Sequence, residues 1–216
     1  FSTRGHPSAP QDTRLIIDDL ARFRAIDAGN MLGAADRLPD DLEQAFALGG
    51  TLPLAEAYSR ITRIVVCGVN EAALAGEVLA VLAHDLGNVP IAVNTTYDLP
   101  AYADGQSTLI VLLDHDGNSE EVLSACELAD QRGTKRMVIT GTPGGKLAES
   151  AARTGVSLWQ YTHPGPARAA FGCQLGLLLA FFNRLQFLRD IAPAVAEAIR
   201  VLAEERAVIG LESPPA

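Results

Sequence analysis

A chain of 216 residues, with 48% hydrophobic and 20% charged residues, has an ordinary globular composition and suits one sizeable α/β domain with appended helices. Its net charge of -9 excludes a general binder of nucleic acid or of an anionic membrane surface. The cysteines Cys67, Cys126 and Cys173 lie far apart in apolar segments. We therefore expect buried thiols in a reducing cytoplasm, and neither a disulfide framework nor a zinc site.

Both ends of the sequence have features of a longer polypeptide. Residues 1–13 are polar and contain proline, which predicts a loose arm, and they lack the apolar core of a signal peptide. The sequence begins at Phe1 without an initiator methionine and closes on the linker-like residues 213–216. We expect both ends to be cuts in a longer chain.

Helical spacing with two interruptions runs through residues 18–49. Met31 opens a short second helix, and Pro39 suits the first turn of a third. Gly49-Gly50 is predicted to end that third helix, because glycine is common just after helix C-termini. We expect residues 1–50 to be an N-terminal arm and helices that pack on the domain that follows.

From residue 51 onward, short β-branched runs alternate with helical segments. The predicted strands are 64–68, 89–93, 109–113, 137–140 and 156–161, and the predicted helices are 71–86, 119–131, 146–153, 166–188 and 191–206. This alternation predicts a three-layer α/β/α sandwich with a five-stranded parallel sheet. The apolar run Phe171 to Phe182 is about a dozen residues, too short for a bilayer, and is predicted to be a buried helix.

Three loops follow the carboxyl ends of predicted strands, where ligands bind in open parallel sheets. They are Gly68 to Glu71, Asp114 to Ser119 and Thr140 to Gly145. In the second loop, Asn118 and Glu121 have the spacing of a helix cap with a reciprocal carboxylate, which would leave first-turn amides for an anion. A cap that only starts the helix is the alternative.

Asp114 and Asp116 make the second loop acidic. Two like charges repel a phosphate unless a cation intervenes or a proton is taken up. One interpretation is a metal or amino-group site formed by Asp114, His115 and Asp116, and the other is solvated acids on a loop. Because the sequence offers no distant ligand trio to complete such a site, we predict no metal and no cofactor.

Three other features could face a ligand. His163 is either a turn residue or a general base. Gly144-Gly145-Lys146 could offer amides and a cation to an anion, although it lacks the spacing of a P-loop. Arg168 lies in the first turn of an apolar helix, where an arginine should point into a polar cleft or pair with a carboxylate.

Five segments follow one another along the chain: IDAGNMLGAADRLPDDLEQAF, VVCGVNEAALAGEVL, YDLPAYADGQSTLIVLLDHDGNSEEVLSA, GGKLAESA and ARAAFG. In motif and in order they resemble segments of the bifunctional phosphoglucose/phosphomannose isomerases, which are built from two sugar isomerase (SIS) domains. The stretch from Ile26 to Leu188 thus resembles the first SIS domain of that family with its N-terminal helices. The resemblance implies a flavodoxin-like SIS domain at residues 51–190, followed by a helix and linker at 191–216 that lead to a second SIS domain.

The resemblance also implies a substrate site, and the sequence departs from the family there. The implied substrate-binding residues are Gly68, Asn70, Glu71, Asp114, Asp116, Gly117, Asn118 and Ser119. The family holds its phosphate with hydroxyls and amides of the first two loops. Here Ala72 replaces a serine, Asn70 and Glu71 replace glycines, and Asp114 and Asp116 replace two serines. We therefore expect hexose 6-phosphate binding in the family's pose to be lost.

Arg168 matches the arginine that, in the family, helps to stabilise a charged intermediate at the active site. The family's glutamate base and ring-opening histidine lie in the second SIS domain, which residues 1–216 do not include. The resemblance thus implies a phosphosugar isomerase if a second domain completes the site. The alternatives are a degenerate SIS module that senses a sugar derivative or binds a protein, and altered specificity for a cationic or unphosphorylated sugar. The implied ligand is a sugar phosphate or a sugar derivative. The implied protein partner is a second SIS domain of the same chain or another copy of this chain, with the helix over Phe171 to Leu188 buried between the two domains.

Overall fold

The computed structural model describes residues 20–54 and 58–210. Three helices come first: α1 (Leu20–Ile26), α2 (Met31–Asp36) and α3 (Leu38–Thr51). Strands and helices then follow as β1 (Arg63–Cys67), α4 (Glu71–Leu86), β2 (Ile91–Asn94), β3 (Thr108–Asp114), α5 (Glu120–Gln131), β4 (Lys135–Gly141), α6 (Gly145–Thr154) and β5 (Ser157–Tyr161). A 3₁₀ turn (Ala167–Ala169) precedes α7 (Phe171–Arg184) and α8 (Ala192–Ile209). The predicted N-terminal arm and C-terminal linker lie outside the described residues.

The five strands form one parallel sheet in the order β2-β1-β3-β4-β5. The predicted five-stranded parallel sheet is therefore confirmed. Every residue of β3, the central strand, is buried, because helices cover both faces of the sheet. Strand ends lie within two residues of the predicted ones.

Alternate residues of the strands enter two separate cores, one on each face of the sheet. Val65, Ile110 and Val138 pack with α5 and α6. Their neighbours Ile64 and Val111 face the other way and pack with α3, α4 and α7. This period of two is what a sheet between two helical layers requires, and it confirms the predicted three-layer sandwich.

Helix α7 is the most buried helix of the described part, and its own chain buries it. Every residue from Gly172 to Phe182 is buried, and α7 packs against α3 and α4. The prediction that this helix lies between two domains is therefore wrong. It also begins only at Phe171, because Pro166 and a 3₁₀ turn occupy the place of its expected first turn.

Helix α3 continues through Gly49-Gly50 to Thr51, so the predicted helix end is wrong as well. A Cβ atom on Gly49 would lie 2.5 Å from the Cβ of Ala180 in α7. The glycine is therefore needed for the close approach of two helices, and not for a chain reversal. Across the described residues, no helix is both long and apolar enough to cross a membrane.

Candidate functional site

A cleft of about 570 Å³ lies at the carboxyl edge of the sheet, where the first two loops meet the 3₁₀ turn before α7. Its lining residues are Val69, Asn70, Glu71, Asp114, His115, Asp116, Ser119, Pro166, Ala167 and Arg168. Of the predicted site residues, the cleft brings together Asn70, Glu71, Asp114, Asp116, Ser119 and Arg168. Gly68, Gly117 and Asn118 do not line it. A larger cavity, about 670 Å³, lies beside the ends of α4 and α7, away from all predicted site residues.

In the first loop, the position with a glycine-like backbone is occupied by Asn70. Asn70 has φ 52° and ψ −121°, a combination that residues with a Cβ rarely adopt. Gly68 is buried, and a Cβ there would lie 2.9 Å from the Cβ of Ala72 and 3.1 Å from the carbonyl oxygen of Leu113. Gly68 thus permits β1 to approach α4 and β3, and Glu71 opens α4 at the wall of the cleft.

Asp114 is bound within the second loop. The backbone N–H and the hydroxyl of Ser119 each donate to the Asp114 carboxylate at 2.8 Å, and Asp114 is only 7% exposed. Asp116, in contrast, has a 72% exposed side chain that lies 3.8 Å from His115 Nε2. The solvated-acid interpretation therefore describes Asp116 and is wrong for Asp114.

The predicted cap of α5 by Asn118 and Glu121 is wrong. Ser119 is the residue that precedes α5. The Asn118 side chain instead donates to the carbonyl oxygen of Asp116 at 2.9 Å and accepts from the backbone N–H of Lys146 at 3.3 Å. Asn118 therefore joins the second loop to the third.

Gly117 is the other part of this connection. Its φ is 68°, and a Cβ there would lie 1.8 Å from the carbonyl oxygen of Gly144, so no side chain fits. Its own carbonyl accepts from the N–H of Leu147 at 2.9 Å. Since Asn118 and Gly117 take the amides of Lys146 and Leu147, these two amides at the start of α6 are not free for an anion.

His115 pairs with Tyr161, a contact that sequence reasoning missed. His115 Nδ1 lies 3.0 Å from the Tyr161 hydroxyl. Burial, with smaller contributions from Cys173, Glu71 and Asp114, raises the pKa of Tyr161, so the hydroxyl keeps its proton and can donate to His115. The only signal was the position of Tyr161 at the carboxyl end of β5. Within the described ranges, no three His, Cys, Asp or Glu side chains are grouped so as to hold a metal ion.

The side chain of His163 is buried beside α3, and His163 does not line the cleft. Its Nδ1 accepts from the N–H of Gly165 at 3.1 Å, which leaves the ring proton on Nε2. Nε2 lies 3.2 Å from Asp41 Oδ2 without good hydrogen-bond alignment, and both side chains are buried. Arg37 contacts the other Asp41 oxygen at 2.9 Å. This buried cluster anchors the segment that leads to Arg168.

Arg168 is exposed on the 3₁₀ turn and lines the cleft. Of its two predicted alternatives, the structure therefore agrees with a position at a polar cleft. In the part of the chain that the structure describes, it makes no hydrogen bond or ion pair. The pKa of Asp27 is lowered mainly by the amides of Leu32 and Met31, and the charge of Arg168 contributes least. The guanidinium is therefore available to a ligand.

Comparison with known proteins gives this geometry a context. A bifunctional phosphoglucose/phosphomannose isomerase from Caldicellulosiruptor bescii is 31% identical over 176 residues, which are 82% of this chain and 51% of that protein. This chain is a distant homologue of that isomerase. It spans about half of the relative's length, and no family model matches the sequence.

Solved structures show the same fold at lower identity. The C-terminal domain of glucosamine-fructose-6-phosphate aminotransferase from Francisella tularensis has a TM-score of 0.59 at 14% identity, over 82% of this chain and 54% of that one. The NanR protein of Vibrio vulnificus, complexed with ManNAc-6P, has a TM-score of 0.52 at 19% identity, over 92% of this chain and 75% of that one. The predicted SIS-domain fold is confirmed.

Proposed function

We propose that this chain forms one half of an aldose–ketose isomerase site for a hexose derivative in the cytoplasm, and that a second SIS domain supplies the other half. The observation that carries the proposal is the cleft at the carboxyl edge of the sheet, with Arg168, which has no ion-pair or hydrogen-bond partner among the described residues, at its wall. The distant homology to a phosphoglucose/phosphomannose isomerase supports both the reaction class and the substrate class.

The chemistry of the reaction assigns a role to Arg168. Interconversion of an aldose and a ketose moves a proton between adjacent carbons through an enediolate, on which negative charge develops. A guanidinium at the cleft wall stabilises that charge, most strongly where water is excluded. Arg168 therefore acts as the electrostatic stabiliser.

We assign the base and the ring-opening acid to the second SIS domain, as the family resemblance implies. Asp114 is committed to Ser119, and the His163 ring faces Asp41 and not the cleft. Asp116 is largely in water, where a carboxylate is a weak base for a carbon acid. The chain spans 51% of the length of its isomerase relative.

A second candidate is a SIS module that binds a sugar derivative without catalysis. The two hydrogen bonds from Ser119 to Asp114 favour this non-catalytic module, because they occupy donors that a substrate anion would need. The complex of NanR with ManNAc-6P supports sugar-derivative binding by a chain of this fold. In this candidate Arg168 contributes to binding alone.

Thermal melting and a coupled isomerase assay test the proposal. We expect glucose, mannose, fructose or one of their 6-phosphates to raise the melting temperature by about 5 °C or more at 100 times its dissociation constant. Arg168→Ala should abolish the rise. The exposed Arg153, at the end of α6, offers a matched control, and Arg153→Ala should leave the rise intact.

Turnover separates the two candidates. We expect no isomerase activity from the 216 residues alone and activity when a second SIS domain is joined to them. Full activity without that domain would contradict the half-site proposal. Ligand binding with no activity in either form would favour the module, and no response to any hexose would exclude both.

A further inference from the structure

We infer that Asp114 is a built-in anion that takes the place of a ligand phosphate at the start of α5, so that the cleft binds an unphosphorylated sugar or amino sugar. This inference rests on the proposed function, because it names the ligand class of the same cleft. It follows from the hydrogen bonds of Asp114, the charges around it and the hydrogen-bonding chemistry of carboxylates.

The donors that an anion would need at this point are already used. Ser119 lines the cleft immediately before α5, and its backbone N–H and hydroxyl both point to the carboxylate of Asp114 at 2.8 Å. The two bonds go to different oxygens of that carboxylate, so each oxygen holds one donor. A phosphate could take these donors only by displacing a group that is covalently fixed and 7% exposed.

The charges of the cleft act in the same direction. Glu71, Asp114 and Asp116 all line it, and Arg168 is the only lysine or arginine among the described lining residues. The amides of Lys146 and Leu147, in the first turn of the neighbouring helix α6, already donate to residues of the second loop. A dianion would thus meet three carboxyl side chains, one arginine and one histidine, so the acids outnumber the arginine three to one.

Hydrogen-bonding chemistry identifies what fits instead. An ionised carboxylate only accepts hydrogen bonds, and so does a phosphate dianion, so these two groups cannot pair. Sugar hydroxyls and a sugar ammonium group donate hydrogen bonds and match the free lone pairs of the three acids. The part of the ligand that lies against α5 therefore carries hydroxyl or ammonium donors.

Isothermal titration with inorganic phosphate, fructose 6-phosphate, fructose, glucose and glucosamine tests the inference. The unaltered chain should bind at least one unphosphorylated sugar more tightly than fructose 6-phosphate. Tighter binding of glucosamine than of glucose would indicate recognition of the ammonium group, and equal binding would indicate recognition of hydroxyl groups. Asp114→Ser shortens the side chain and removes the charge, which frees the Ser119 donors. We expect it to gain about 10-fold or more in affinity for inorganic phosphate and fructose 6-phosphate.

Asp116→Ser is the matched control, since it removes the same charge from the same loop without releasing Ser119. We expect it to gain less than about 3-fold, because Asp116 is exposed to water. If Asp114→Ser does not fold, Asp114→Asn replaces it, because asparagine keeps the volume of the side chain. Its gain in phosphate affinity should lie between those of the two serine variants.

Two outcomes would overturn the inference. One is tighter binding of fructose 6-phosphate than of every unphosphorylated sugar by the unaltered chain. The other is unchanged phosphate affinity in every folded Asp114 variant. Failure of the proposed function looks different: no hexose derivative is turned over even with a second SIS domain joined, while the unaltered chain still binds an unphosphorylated sugar and the Asp114 variants still gain affinity for inorganic phosphate.

Discussion

Asn70 has a backbone conformation that suits glycine, and it lies at the wall of the cleft. Strain of this kind costs about 1–3 kcal/mol and persists where surrounding structure enforces it. Here β1 and α4 fix the two ends of a very short loop. The side chain at position 70 is thus present at a cost in stability, which is common at ligand sites.

Asn70→Gly should stabilise the fold. Removal of the Cβ relieves the strain, and the greater freedom of glycine in the unfolded chain offsets part of the gain, so we expect a net increase of about 1 kcal/mol. Urea denaturation gives the free energy of unfolding. Asn30→Gly is the control, because Asn30, at φ 50° and ψ 42°, is left-handed in a region that asparagine tolerates. Equal gains in both variants would contradict the strain at Asn70.

The buried contact between Asp41 and His163 should be coupled energetically. A double-mutant cycle with Asp41→Ala and His163→Ala isolates this pair from the Arg37 contact, and we expect a coupling of about 1–3 kcal/mol. His84 and Asp85 form a matched surface pair, 2.9 Å apart with side chains 87% and 83% exposed. Their coupling should stay below about 0.5 kcal/mol. Similar values for both pairs would show that burial adds nothing to the Asp41 contact.

The His163→Ala variant also tests whether the buried His163 side chain contributes to ligand binding. His163 also holds the N–H of Gly165, three positions before Arg168. We therefore expect His163→Ala to weaken sugar binding even under conditions in which the variant is fully folded. Unchanged affinity would mean that the 3₁₀ turn positions Arg168 without this anchor.

At the scale of elements, the loops after β3 and β4 form one interlocked unit. Gly117 is packed against Gly144, and its carbonyl holds the first turn of α6. Neither loop can therefore move without the other, and the position of Asp114 and Ser119 in the cleft depends on both.

Gly117→Ala should be much more destabilising than Gly105→Ala. Both glycines have nearly the same backbone angle, φ 68° and 70°, but a Cβ at Gly117 meets the Gly144 carbonyl, whereas nothing lies within 4 Å at Gly105. We expect Gly105→Ala to cost about 1–2 kcal/mol for the left-handed conformation alone, and Gly117→Ala about 3 kcal/mol or more. Denaturation midpoints of the two variants measure the difference. Equal losses would contradict the interlocked unit.

The sequence predicted the elements well because their signals are local. The apolar runs that became β1 and β3 are buried on both faces, and such runs differ clearly from the helical pattern between them. The errors arose where packing overrides local preference. Gly49 continues α3 because α7 lies against it, and that contact is invisible in the spacing of residues along the chain.

At the scale of the whole molecule, the position of the cleft could be predicted, whereas its internal bonds could not. The strand order places the ends of β1 and β3 side by side, so the first two loops meet. Which side chains pair with each other behind the cleft depends on distances between remote positions. His115 with Tyr161 and Asp41 with His163 are examples, and nothing in the sequence pattern connects their members.

The three cysteines provide a test of whether the three layers unfold together. Cys67 lies in the sheet, Cys126 in the layer of α5 and α6, and Cys173 in the layer of α3, α4 and α7, and all are buried and free, as predicted. Burial raises the pKa of Cys67 and Cys173 to about 12. At pH 8 both thiols therefore stay protonated in the folded chain, and we expect them to react about 1,000-fold more slowly than an exposed thiol of ordinary pKa.

Pulsed alkylation along a urea titration, followed by mass spectrometry of peptides, reports each thiol separately. If the three layers form one cooperative unit, all three cysteines should become reactive at the same urea concentration, with one midpoint that matches the loss of helical circular dichroism. Single Cys→Ala variants control for the identity of each labelled site. Earlier labelling of Cys126 would instead show that α5 and α6 separate from the sheet first. Because Asp114 and Ser119 both belong to the connection between β3 and α5, the cleft would then lose its ligand before the rest of the molecule unfolds.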